Sequence, residues 1–280
     1  MGMNRMAAAL SDTAASYAKD DDPEFVRTGA PATLKMVEMM LDGNPEHAGL
    51  LLTACSGFAQ YAYAFLQIDS EILAPSDARA AAVLRERALR MYARSRGYCV
   101  RELGTRNRAL RVALEREPAR LSALLPATTR ADVPALFWTG AAWAGELSSL
   151  DNPLLRIGEV ATVRALLTRA LELDESWGSG TIHEAMIAVE GLPAIVGGSA
   201  ARARGHFDRA VALSAGQSAF AYVTLATSVE APAKDRAAFE RALRQALAVD
   251  VTKRPDLRLA NLVAQKRARF LLANADRLLK

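Results

Sequence analysis

Residues 197–213 read GGSAARARGHFDRAVAL. Within them Ala203, Phe207, Ala210, Val211 and Leu213 spell A-x-x-x-F-x-x-A-V-x-L. Each residue of an α-helix turns about 100°, so these positions form one stripe. Small alanines beside a bulky phenylalanine let a second helix approach closely while the ring fills a groove. The pattern predicts the second helix of a tetratricopeptide-type hairpin. Val163, Leu167, Ala170, Leu171 and Leu173 repeat it, and so do Phe239, Leu243, Ala246, Leu247 and Val249. Alanines 170, 210 and 246 lie 40 and 36 residues apart, close to the repeat period of about 34. Ala88, Tyr92 and Ser95 give a fourth stripe after a longer insertion.

The intervening first helices fall at 181–190 and 218–229, without a W-x-x-L-G-x-x-Y pattern, so the repeats are degenerate. Residues 258–279 predict a terminal helix that caps the stack. Long Ala, Leu and Arg runs with almost no alternating β-branched stretches predict an all-α fold, a helical bundle or solenoid. The expected organisation is one domain over residues 1–280. It has N-terminal helices over 1–75, about four hairpins over 76–256 and the cap over 257–280.

The front of the chain predicts an amphipathic helix over 4–18. The acidic Asp20-Asp21-Asp22-Pro23-Glu24 then reads as a helix start rather than a metal site. Pro31 is expected to open another helix, which Asp42-Gly43-Asn44-Pro45 ends. Residues 47–69 are apolar nearly all round, the mark of a core helix. Tyr61, Tyr63 and Phe65 on it are candidate ligand-lining aromatics beside their core role. Residues 135–147 combine Trp138 and Trp143 with small residues, which suits close packing around a cavity or partner. Trp177, Phe220 and Tyr222 complete the candidate ligand-lining set.

Thirteen arginines against four glutamates give residues 79–130 a charge of +9, while the whole chain carries +4. This reads as solvated helix faces with i,i+4 ion pairs in preference to a nucleic-acid or acidic-partner surface. Cys55 and Cys99 read first as two buried small hydrophobes; a disulfide or a reactive thiol stays open. His47, His183 and His206 lack metal-site spacing, and neither G-x-S-x-G nor a P-loop occurs, so no catalytic residue, metal or cofactor is expected. No run of 18 or more uncharged apolar residues occurs, so no membrane span is expected. The opening MGMNRM lacks the apolar core and cleavage site of an export signal, so it does not read as a signal peptide.

Five segments in order carry a resemblance: DDDPEFVRTGAPATLKMVEMML (20–41), PEHAGLLLTACSGFAQYAYAFLQ (45–67), GGSAARARGHFDRAVALS (197–214), AYVTLATSVEAPAKDRAAFERALRQALAVD (221–250) and LRLANLVAQKRARFLLANADRLL (257–279). Together they resemble the T component of tripartite ATP-independent periplasmic (TRAP) transporters, the TatT family. The middle, roughly 100–160, resembles it less clearly. The resemblance implies a non-catalytic, exported and usually lipid-anchored protein of the periplasm. It would associate with the transporter's periplasmic solute-binding protein and form a homotrimer with an apolar cleft or pore. An apolar or amphipathic small molecule is then the expected ligand, and nucleic acid is not a partner. The competing classes are a general tetratricopeptide-like interaction scaffold, a solenoid transglycosylase and an arginine-based nucleic-acid binder.

Overall fold

The computed structural model describes residues 16–150 and 152–279. Among them the regular elements are all helical, with no strand, so the all-α expectation holds. The expected helix over 4–18 lies largely outside the described residues; its last turn, 16–18, is helical. The helices fall into two compact units.

The first unit contains α1 (Pro23–Gly43), α2 (Ala48–Leu73), α3 (Ala78–Arg106), α4 (Arg108–Arg116), α5 (Val133–Ser148) and α6 (Val160–Leu173). Pro31 does not open a helix but sits inside α1. Its missing N–H leaves the Arg27 carbonyl without a helical donor, a cost of about 3 kcal/mol. Burial of Val26, Ala30, Leu34, Val37 and Leu41 along one face offsets that cost and keeps the helix continuous. Side-chain caps fix the starts of three helices: His47 Nδ1 accepts from Leu50 N at 3.3 Å, Asp77 from Ala80 N at 2.9 Å and Asn107 from Leu110 N at 3.1 Å. Such a cap stabilises a helix by about 1 kcal/mol.

Helix α2 is the apolar segment, and α3 packs along it. Leu50, Leu51, Ala54 and Phe58 form a core with Leu34, Val37 and Leu41 of α1. Within α2, residues Ala62–Gln67 form a π turn. Ala88, Tyr92 and Ser95 are all buried on α3, as the stripe predicts.

The two cysteines correct the first reading. Cys55 of α2 and Cys99 of α3 form a disulfide with their Cα atoms 4.9 Å apart, and both are fully buried. Their separation of 44 residues hid the pairing. Two helices laid side by side bring distant positions together, which no local periodicity reveals.

The arginine surplus is mostly paired. Arg90–Glu86 and Arg111–Glu115 are the expected i,i+4 pairs. Arg94, Arg96 and Arg106 reach instead to the buried acids Glu38, Glu146 and Asp132 of other elements.

The second unit contains α7 (Thr181–Glu190), α8 (Ala200–Leu213), α9 (Ala219–Leu225, continued by a π turn Ala226–Glu230), α10 (Arg236–Ala248) and α11 (Arg258–Ala273), and takes in Ala18–Pro23. Helix α7 packs on α8, and α10 packs on both α9 and α11. The stripe alanines Ala203, Ala210 and Ala246 are fully buried, as are Phe239 and Leu243 to within 1%. Phe207 is only partly buried; its ring lies edge-on to Tyr222 at 5.4 Å.

Candidate functional site

The eight candidate aromatics divide between the two units. In the first, Tyr61, Tyr63 and Phe65 lie on or beside the π turn of α2. Phe65 is buried, with the Arg27 guanidinium 5.0 Å above its ring and Arg27 Nη1 donating to the Phe65 carbonyl at 3.1 Å. Arg27 is anchored in turn by Asp69 at 2.5 Å. Tyr61 and Tyr63 are half-buried against Ala62, Leu66, Ala88 and Tyr92. The extra residue of a π turn rotates the side chains that follow it.

Trp143 on α5 is buried and fully engaged. Arg96 covers its ring at 4.6 Å, and its indole N–H donates to Glu159 at 2.5 Å. Arg156 donates to both Glu159 oxygens at 2.7 Å and to Glu146, which also accepts from Arg96 at 2.7 Å. Burial raises the Glu159 pKa, but the hydrogen bonds from Arg156 and Trp143 outweigh it and hold the group below its ordinary value. Such a network fixes the ring rather than presenting it. Trp138, half-buried and edge-on to Phe137 at 4.8 Å, is the more accessible tryptophan of this helix.

In the second unit Trp177, Phe220 and Tyr222 are half-buried. Phe220 and Tyr222 lean on the core of α9, α10 and α11. Beside them α7 carries a polar cluster that sequence reasoning missed. His183 Nδ1 lies 2.8 Å from His206 Nδ1 of α8, and His183 Nε2 lies 3.1 Å from Glu175. Arg209 clamps the same Glu175 through two bonds of 2.9 and 2.8 Å. Arg209 and His183 hold the Glu175 carboxyl down at about 2. Burial lowers both histidines, so both are neutral at pH 7. With Nε2–H of His183 donated to Glu175, its Nδ1 lone pair accepts the N–H of His206. Among the described residues no three His, Cys, Asp or Glu side chains converge as a metal site.

Glu184, the next residue of α7, is buried and accepts from the Ser218 hydroxyl. Burial outweighs that bond and pushes its pKa up to about 7. An unfolded glutamate titrates near 4.3. Between these values the native state holds a proton that the unfolded state has lost, so this group's contribution to stability falls as pH rises toward 7. Glu184→Gln is therefore expected to gain about 3 kcal/mol over the parent at pH 8 and to match it near pH 4. Urea denaturation of both proteins across that range measures the difference; an equal gain at both pH values would show that Glu184 is ionised throughout. The depressed histidines act in the opposite sense, losing stability as pH falls below about 6.5, and they cancel in the comparison.

The TRAP transporter T-component family model matches residues 19–279. The chain belongs to the TRAP transporter T-component family. It is also similar to an uncharacterised protein of Treponema pallidum (strain Nichols), 28% identical over 264 residues, covering 93% of this chain and 81% of the relative. The family consists of accessory components of a transporter, so membership implies association with other TRAP parts in a periplasmic or membrane-associated setting. The match runs through the middle of the chain, where the sequence resemblance is weakest.

Proposed function

We propose that this T component is a non-catalytic periplasmic protein that docks the solute-binding protein of its TRAP transporter and shelters an apolar or amphipathic solute. The observation that carries this reading is the family match over residues 19–279. The buried Cys55–Cys99 bridge adds support, because disulfides persist in oxidising compartments such as the bacterial periplasm. On this reading the precursor is lipid-anchored, the protein assembles as a trimer, and the packed helix pairs are degenerate tetratricopeptide-like hairpins.

The solute would meet partly buried aromatics, since these keep ring surface available. Tyr61, Tyr63 and Trp138 are such groups in the first unit, and Trp177, Phe220 and Tyr222 in the second. Phe65 and Trp143 are buried and held by Arg27 and Arg96, so they offer a solute less ring surface.

Affinity capture of the tagged chain after cross-linking in its native cells tests the docking role. The solute-binding protein of the same transporter is expected in the capture and absent from an untagged control. Capture without any subunit of that transporter contradicts the reading.

A further inference from the structure

His183 of α7 and His206 of α8 meet through their Nδ1 atoms at 2.8 Å, with ring centroids 5.0 Å apart. Two ring nitrogens this close hold one hydrogen between them. Two lone pairs repel, and two facing N–H groups would bring their hydrogens to within about 1 Å of each other. The far edge of His183 decides which ring donates. Its Nε2 faces the Glu175 carboxylate at 3.1 Å, where only an N–H is stable, so in the neutral pair the shared hydrogen comes from His206.

One added proton leaves this contact intact. An imidazolium and an imidazole still have a single N–H between them, now in a charge-assisted bond. A second proton places an N–H on both Nδ1 atoms, and the rings must part.

The surroundings do not relieve that conflict. The charges facing the pair are Glu175 ahead of α7, Glu190 of α7, and Arg202 and Arg209 of α8. Arg209 clamps Glu175 and Arg202 clamps Glu190, so the four cancel and leave no surplus carboxylate to support a second cation. Glu184 of α7 is turned to Ser218, and Glu230 at the end of α9 is engaged by Arg204. His183 itself is 5% exposed, which denies its ring the hydration that would stabilise a charge.

We infer that the His183–His206 pair is a one-proton latch: it ties α8 to α7 with no proton or one proton added, and lets go when a second binds. The inference is independent of the docking role and of any solute. Unfolded histidines titrate separately near pH 6.5. In acid the unfolded chain therefore takes up two protons where the latched pair takes one, which costs the native state about tenfold in its folding equilibrium per pH unit.

The test is urea denaturation of the parent, His183→Gln and His206→Asn at pH 7.5, 6 and 5. The glutamine keeps an N–H for Glu175 and the asparagine keeps one at the Nδ1 position, but neither side chain takes up a proton. A latch needs both rings, so either substitution alone should remove its whole acid penalty. Between pH 6 and 5 the parent should lose about tenfold in its folding equilibrium constant relative to each variant. Glu184 is common to all three proteins and cancels. Variants that fall as steeply as the parent overturn the latch. So do variants that each remove only part of the penalty, the two parts summing to the whole, because that is the behaviour of two independent buried histidines. A nitrogen-15 spectrum of the parent's histidine rings at pH 7.5 needs no variant. It should show His183 protonated at Nε2 and His206 at Nδ1; both rings protonated at Nε2 alone would overturn the inference.

Discussion

Replacing Cys55 and Cys99 together by alanine is expected to cost about 4 kcal/mol and to lower the thermal midpoint by roughly 10 °C. The bridge spans a separation of 44 residues, and a cross-link over that distance removes about this much loop-closure entropy from the unfolded chain. It joins α2 to α3, the pair on which the first unit's core is assembled. Both cysteines are fully buried, so reductant should act on the native protein only when the unit opens. Calorimetry of the double variant and the parent measures the shift. A thiol titration in denaturant should find no free thiol in the parent. An unchanged midpoint would mean that the two helices hold their register without the bridge.

Phe239→Ala is expected to cost about 3 to 5 kcal/mol, as deletion of a fully buried ring does. Phe239 is 1% exposed at the centre of the second unit's core, which it shares with Ala203, Ala242, Leu243, Ala246 and Val223. Several of these neighbours are alanines, whose methyl groups move only with their backbone. The cavity therefore has few side chains that can swing in to fill it, which places the cost toward the upper end. Urea denaturation should show a lower midpoint with an unchanged slope, the signature of lost stability alone. A cost under about 1 kcal/mol would show that the α10 stripe is not a close-packed face.

The alanine stripes were legible in the sequence because each is local and periodic. Ala203, Ala210, Phe239, Leu243 and Ala246 fall on the buried face that a turn of 100° per residue predicts. The intervening helices at 181–190 and 219–230 were found for the same reason, bounded by glycine and by Ser218. Pro31 misled because proline is commonest in the first turn of a helix, and its burial-compensated place inside α1 depends on packing across the unit. The cysteine pair, the His183–His206 contact and the Arg156 bridge between Glu146 and Glu159 all depend on side chains that meet from different elements or across a bend. Hydrophobic periodicity carries no information about such meetings. The exposed Ile195 between the helices ending at Glu190 and starting at Ala200 runs against the inward rule for apolar side chains, so only the folded chain reveals it.

On the proposed reading this T component works by holding the solute-binding protein. Isothermal titration of the two purified proteins, in oxidising buffer so that Cys55–Cys99 stays closed, tests it most directly. Saturable heat with a defined stoichiometry is the predicted result. A flat titration with both proteins folded would contradict it.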